Sequence, residues 1–209
     1  MSDENREKRT AEKIRAAEAE ASAYVIDRRR WYHAHPEVAY EERATTAQIC
    51  ADLDALGIPY ERPTATGVVA TLRGGAPDAY LEDGTPRRRL MLRADIDALP
   101  VTEETGEPFC SLIEGRMHAC GHDCHIAMLL GAARLLASMT DELAGEVRLV
   151  FQPAEEGGNG SKTMIEAGVL EGVDGVYGMH IWSDVPAGKV SVEAGPRMAA
   201  TDWWRIDVT

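Results

Sequence analysis

Five candidate metal ligands, His118, Cys120, His122, Cys124 and His125, fall within residues 118–125 of this 209-residue chain. Imidazole and thiolate are the side chains that bind zinc and related divalent ions, so the run marks a metal-binding loop. In Cys120-Gly121-His122 the two ligands are separated by one residue, and on an extended or tightly looped backbone residues i and i+2 project to the same side. One ion, or a close pair, would be gripped by both. Gly121 lets the backbone turn closely around the site. The competing arrangement is a closed zinc knuckle built from His118, Cys120, Cys124 and His125. It requires four ligands to converge from one short loop, because no second ligand pair stands at finger-like spacing.

Three further constellations carry acids or a histidine to strand ends. The segment Gln152-Pro153-Ala154-Glu155-Glu156-Gly157-Gly158 follows an apolar stretch, 146–151, that predicts a strand. Catalytic groups of α/β folds gather beyond the carboxyl ends of strands. Adjacent side chains on an extended backbone diverge, so one of Glu155 and Glu156 can bind metal while the other takes a proton from water. Asp95 and Asp97 stand at i and i+2 at the end of a second predicted strand, 89–94, and such carboxylates commonly orient a ligating His. His180 closes a third predicted strand, 175–180. His33 and His35 resemble a metal pair, but are expected to end a helix and pack.

These groups must be positioned by elements legible in the pattern. A helix rich in Ala, Glu and Arg is predicted over 9–34, with Arg28, Arg29 and Arg30 on its solvated face, and a second over 41–56, stopping at Gly57 where a left-handed cap is natural. A strand over 67–72 is followed by a charged, turn-rich segment, 74–88, expected as a surface hairpin or loop. Within 123–138, Ile126, Leu129, Leu130, Ala133 and Leu136 recur at helical spacing. The ligand run therefore lies at a helix N-terminus, whose positive dipole end favours the thiolate of Cys120. With a short helix over 161–167, strands alternate with helices and predict an α/β sheet covered on both faces. After Pro186 two β-type runs, 188–194 and 203–208, have no following helix and read as the beginning of another unit.

Composition narrows the partners. With 44% hydrophobic and 27% charged residues the chain reads as a globular protein, and a formal charge of −13 argues against nucleic acid or an anionic membrane surface. A small molecule is the expected partner. The charged N-terminus has no apolar core of a signal peptide, and no run is long enough to span a bilayer, so a cytoplasmic location is expected. The four cysteines are then read as thiols, with Cys50 in the core and Cys110 unassigned.

Taken in order, the segments 29–37, 92–100, 117–125, 151–157 and 178–180 closely resemble the metal-dependent amidohydrolase family of hippurate hydrolases, indoleacetyl-amino-acid hydrolases and N-acyl amino acid deacetylases. That family sits within the clan of di-metal aminoacylases and carboxypeptidases. The resemblance implies a di-metal aminopeptidase-like catalytic domain, an α/β fold with a mixed, mostly parallel sheet flanked by helices. It implies Cys120, His122, Glu156 and His180 as metal ligands, Glu155 as general base, and Asp95 and Asp97 as supports of the ligands. It also implies two divalent ions (manganese, zinc, cobalt or nickel), a water nucleophile between them, and an N-acyl amino acid or related amide as substrate.

Members of that family continue into an inserted α+β lid or dimerisation domain, which supplies a further His, and return to add a last ligating His. On this resemblance residues 1–187 are the N-terminal part of the catalytic domain and 188–209 the first strands of the insert. A homodimer is implied for a full-length relative. The present chain, truncated at the start of the insert, is expected to be impaired, or to be an inactive metal-binding fragment that needs a complementary chain.

Overall fold

A computed structural model describes residues 3–199 and 204–208. Helix α1, Asp3–Ala34, stops two residues before Pro36, whose ring disfavours helical geometry at His35. Helix α2, Arg43–Ala55, ends on Leu56 and Gly57, and Gly57 takes φ +66°, a conformation that costs glycine little. Five strands follow: β1 Tyr60–Glu61, β2 Val68–Arg73, β3 Arg89–Asp95, β4 Glu146–Gln152 and β5 Gly175–Gly178. Helix α3, His122–Ala137, lies between β3 and β4, and helix α4, Gly160–Glu166, between β4 and β5.

The sheet runs β1-β2-β4-β3-β5. Strands β3, β4 and β5 are mutually parallel, whereas β2 pairs antiparallel with both β1 and β4. The mixed sheet expected from the sequence is therefore present, and its parallel half delivers three carboxyl ends to one edge.

Side-chain alternation gives the sheet two apolar faces. Val68, Ala70 and Leu72 of β2, with Leu149 and Phe151 of β4, pack against Tyr32, Ile49, Leu53, Ile126 and Leu130 of the first three helices. Val69, Met91 and Val150, the intervening residues, meet Met164 of α4 and Val169. A period of two thus assigns neighbours on one strand to opposite cores, which is why a helix is needed on each face. The segment between β2 and β3 is the loop anticipated, closed by a Tyr80–Pro86 bridge.

Two expectations are corrected. Residues 188–199 and 204–208 contain no strand, and Trp203 lies outside the described residues. Val190, Val192, Trp204 and Ile206 are all more than 70% exposed. Their β propensity meets no partner edge among the described residues, and a strand without cross-strand pairs has nothing to stabilise it. The Arg28-Arg29-Arg30 run is not a solvated face throughout: Arg28 pairs with Asp52 at 3.4 Å and Arg29 with the fully buried Asp123 at 3.0 Å, leaving Arg30 exposed.

Candidate metal centre

The site lies at the carboxyl edge of the parallel strands, where α3 begins. Asp95 ends β3 and Asp97 follows it, Glu155 and Glu156 come just after β4, and His180 stands two residues beyond β5. Gly121 caps α3 at φ +87° and ψ +18°, a left-handed turn that swings Cys120 and His122 onto the same edge.

His122 is 1% exposed. Its Nδ1–H donates to the main-chain carbonyl of Asp97 at 2.9 Å, which fixes the tautomer and leaves Nε2 with its lone pair turned into the cluster. Glu156 Oε1 lies 3.7 Å from that nitrogen, Glu155 Oε2 3.9 Å and Asp95 Oδ2 3.6 Å. Cys120 Sγ and His180 Nε2 are 3.5 Å apart, and His180 in turn donates from Nδ1 to the Ile181 carbonyl. Donor atoms of Cys120, His122 and His180 lie within 4.8 Å of one another, as do those of His122, Glu155 and Glu156. The four residues expected as ligands and the expected base are thus together.

Two observations favour a cation in the middle of this group. His122 Nε2 and Glu156 Oε1 are buried without a hydrogen-bond partner among the described residues, and such atoms are rare unless an ion or water serves them. The acids also crowd one another. Burial, then the charges of Asp95 and Glu156, push the Glu155 carboxyl above its ordinary range. Burial and then Glu156 push the Cys120 thiol up to about 12, so the helix end alone does not make the thiolate expected from the sequence. A divalent cation inverts that balance by stabilising both anions.

Further side chains hold the groups of this cluster in place. Asp97 accepts the main-chain N–H of Glu155 on one oxygen and that of Glu156 on the other, each at 2.9 Å. Asp95 accepts from Arg93 at 2.8 Å and from His125 Nδ1–H at 2.6 Å. Despite burial, His125, His122 and Arg93 hold its carboxyl down to about 2. Asp95 and Asp97 are thus each hydrogen-bonded to groups beside the cluster. Arg93 also reaches Gln152 at 2.9 Å; its place two residues before Asp95, on the same strand face, is the sequence signal for this contact.

His125 is saturated. While Nδ1 donates to Asp95, Nε2 accepts the N–H of Ile181 at 3.0 Å, so neither nitrogen is free for a metal. This excludes the closed knuckle of His118, Cys120, Cys124 and His125. His118 is buried beside Asp123 and His122, and burial lowers its pKa to about 4, but it joins none of the converging donor groups among the described residues. Cys124 faces Arg29 and Asp123. His33 binds Asp123 at 2.7 Å and Glu103 at 3.2 Å, while His35 stacks on Trp31, so both pack as expected.

The fold and the donor set define an α/β domain with a candidate divalent metal centre at its carboxyl edge. The chain belongs to the family described as Peptidase family M20/M25/M40, whose model matches residues 91–208. It is 44% identical to thermostable carboxypeptidase 1 of Saccharolobus solfataricus, over 94% of this chain and 49% of the relative. It is 43% identical to an N-acyl-L-amino acid amidohydrolase of Geobacillus stearothermophilus, over 95% of this chain and 52% of the relative. Among solved structures, a dinuclear metal-binding peptidase of the same family from Bacillus subtilis superposes with a TM-score of 0.78 at 40% identity, covering 85% of this chain and 48% of that one. The chain thus spans about half the length of the relatives it matches. No helix among its described residues is long and apolar enough to cross a membrane.

Proposed function

We propose that this chain carries most of the metal site of a hydrolase acting on the amide bond of N-acyl amino acids or related small amides. The observation that carries the reading is the convergence on one strand edge of Cys120, His122, Glu155, Glu156 and His180, with unpartnered lone pairs on His122 Nε2 and Glu156 Oε1. The amidohydrolase and dinuclear peptidase relatives support the reaction class.

Cys120, His122, Glu156 and His180 would hold two divalent ions, for which manganese, zinc, cobalt and nickel all suit a mixed S, N and O donor set. Bound there, such ions supply Lewis acidity, which lowers the pKa of water and polarises an amide carbonyl. Glu155 is assigned as general base. It is the more exposed of the two acids, and its raised pKa suits a carboxylate that must hold a proton and pass it to the leaving amine. Asp97, by accepting both loop amides, keeps the two neighbouring carboxylates diverging into separate roles. His125 and Asp95 tie the chain after His180 to β3. The domain division, with residues 188–209 opening a further unit, belongs to the same reading, as does homodimerisation of the whole protein.

The test is to incubate the protein with Mn2+ or Zn2+ and a panel of N-acyl amino acids. Release of free amino acid is expected, and E155Q should abolish it while leaving metal content unchanged. Metal loss from E155Q would contradict the division of labour between the two acids. Turnover absent from a folded, metal-loaded protein would remove the activity from this chain.

A further inference from the structure

The start of α2 carries two acids that divide a task normally done by one. A carboxylate at a helix N-cap ordinarily accepts the orphan N–H groups of its own first turn. Glu42 is the N-cap of α2, yet its side chain makes no capping bond. The first-turn amides go instead to Glu37, which accepts Ala44 N–H at 3.1 Å and Thr45 N–H at 2.8 Å.

Relieved of capping, Glu42 turns inward. It is 0% exposed, and its Oε1 accepts the N–H of Ala154 at 2.8 Å, across 112 residues of sequence. Ala154 is itself fully buried and adopts φ +51°, a left-handed conformation unfavourable for a residue with a Cβ. Something must hold it there. The next two amides, of Glu155 and Glu156, are both taken by Asp97, and the hydroxyl of Tyr40 donates to the Gly158 carbonyl of the same loop. Three consecutive N–H groups are thus each met by a buried carboxylate, and the two acids that follow Ala154 emerge into the metal cluster.

We infer that Glu42 is a positioning residue for the metal site: by accepting the Ala154 amide it fixes the left-handed turn from which Glu155 and Glu156 reach the cluster. The inference rests on the metal reading above and deepens it. Burying a carboxylate whose Oε2 has no partner among the described residues is costly. A structural cap would have done its work at the surface, so the burial is explained by the bond it delivers to the loop.

The experiment is a Co2+ titration of the protein and of E42Q, E42D and E42A, following the optical band of thiolate-bound cobalt, with circular dichroism to confirm folding. E42Q keeps an oxygen acceptor at the right reach, and its affinity should stay within about threefold of the parent. E42D is too short and E42A has no acceptor, so each should bind about 10- to 100-fold more weakly, the range for groups that orient ligands, with the metal-free fold retained. Unchanged affinity in E42A, or equal loss in E42Q, would overturn the inference while leaving the metal reading intact. Unfolding of both E42D and E42A would show that Glu42 holds the fold and not the loop, and would also overturn it. A folded parent that binds no Co2+ would overturn the metal reading and this inference with it.

Discussion

The imidazole of His122 donates from Nδ1 to the main-chain carbonyl of Asp97 at 2.9 Å, while the carboxylate of the same Asp97 collects the amides of Glu155 and Glu156. Asp97, two residues beyond β3, thereby fixes the tautomer of His122 on α3 and the loop beyond β4. Because both carboxylate oxygens are occupied by N–H donors, D97N places an amide NH2 against one of them. Metal affinity should fall about 10- to 100-fold with the circular dichroism spectrum unchanged, as read by Zn2+ competition with a chromophoric chelator. Parent-like affinity would show that the two amides do not depend on Asp97.

His125 links α3, β3 and the segment after β5 without a nitrogen to spare for metal. H125A frees the Ile181 amide and leaves Asp95 short of a donor. The expected result is a drop in metal affinity of similar size to that of D97N, accompanied by heightened hydrogen exchange at the Ile181 amide. If exchange there stays at the parent rate, the link is not what holds the His180 segment.

Core and exposed apolar residues should separate cleanly in urea denaturation of the metal-free protein. Phe151, 0% exposed between sheet and helices, should cost about 3–5 kcal/mol on replacement by Ala. Trp204, 87% exposed, should change stability by no more than about 0.5 kcal/mol. A large effect at Trp204 would mean that 204–208 packs in solution.

The pH dependence of stability should carry a contribution from Glu42. Burial, partly offset by its own amide and that of Ala154, raises its pKa above the ordinary 4.5. A carboxyl with a raised folded pKa stabilises the fold fully below its unfolded pKa and loses that contribution as pH rises through the folded value. The metal-free parent should therefore lose stability relative to E42Q as pH climbs from about 4 towards neutrality. A parent-minus-E42Q difference that is flat with pH, measured by urea titration at each pH, would contradict burial of Glu42.

The sheet and the candidate ligands were legible in the sequence to different degrees. Helices with a sustained apolar stripe, such as α3, and apolar strands buried on both faces, such as β2 and β4, were readable to within one or two residues, because their signal is local. Cys120, His122, Glu155, Glu156 and His180 were readable as a group from spacing and from family resemblance together. Glu42 was not, since a helix-start acid looks like a cap until Glu37 is seen to occupy that role. Nor was the saturation of His125, which depends on an amide 56 residues away. The runs at 188–194 and 204–208 form no strand because β propensity says nothing about whether a partner edge is at hand.

A metal centre among Cys120, His122, Glu156 and His180 is tested most directly by anomalous scattering from crystals soaked with Mn2+ or Zn2+. Anomalous density should be bounded by Cys120 Sγ, His122 Nε2, a Glu156 oxygen and His180 Nε2. Density beside His118, Cys124 or His125 instead, or none in crystals shown to contain the metal, would contradict it.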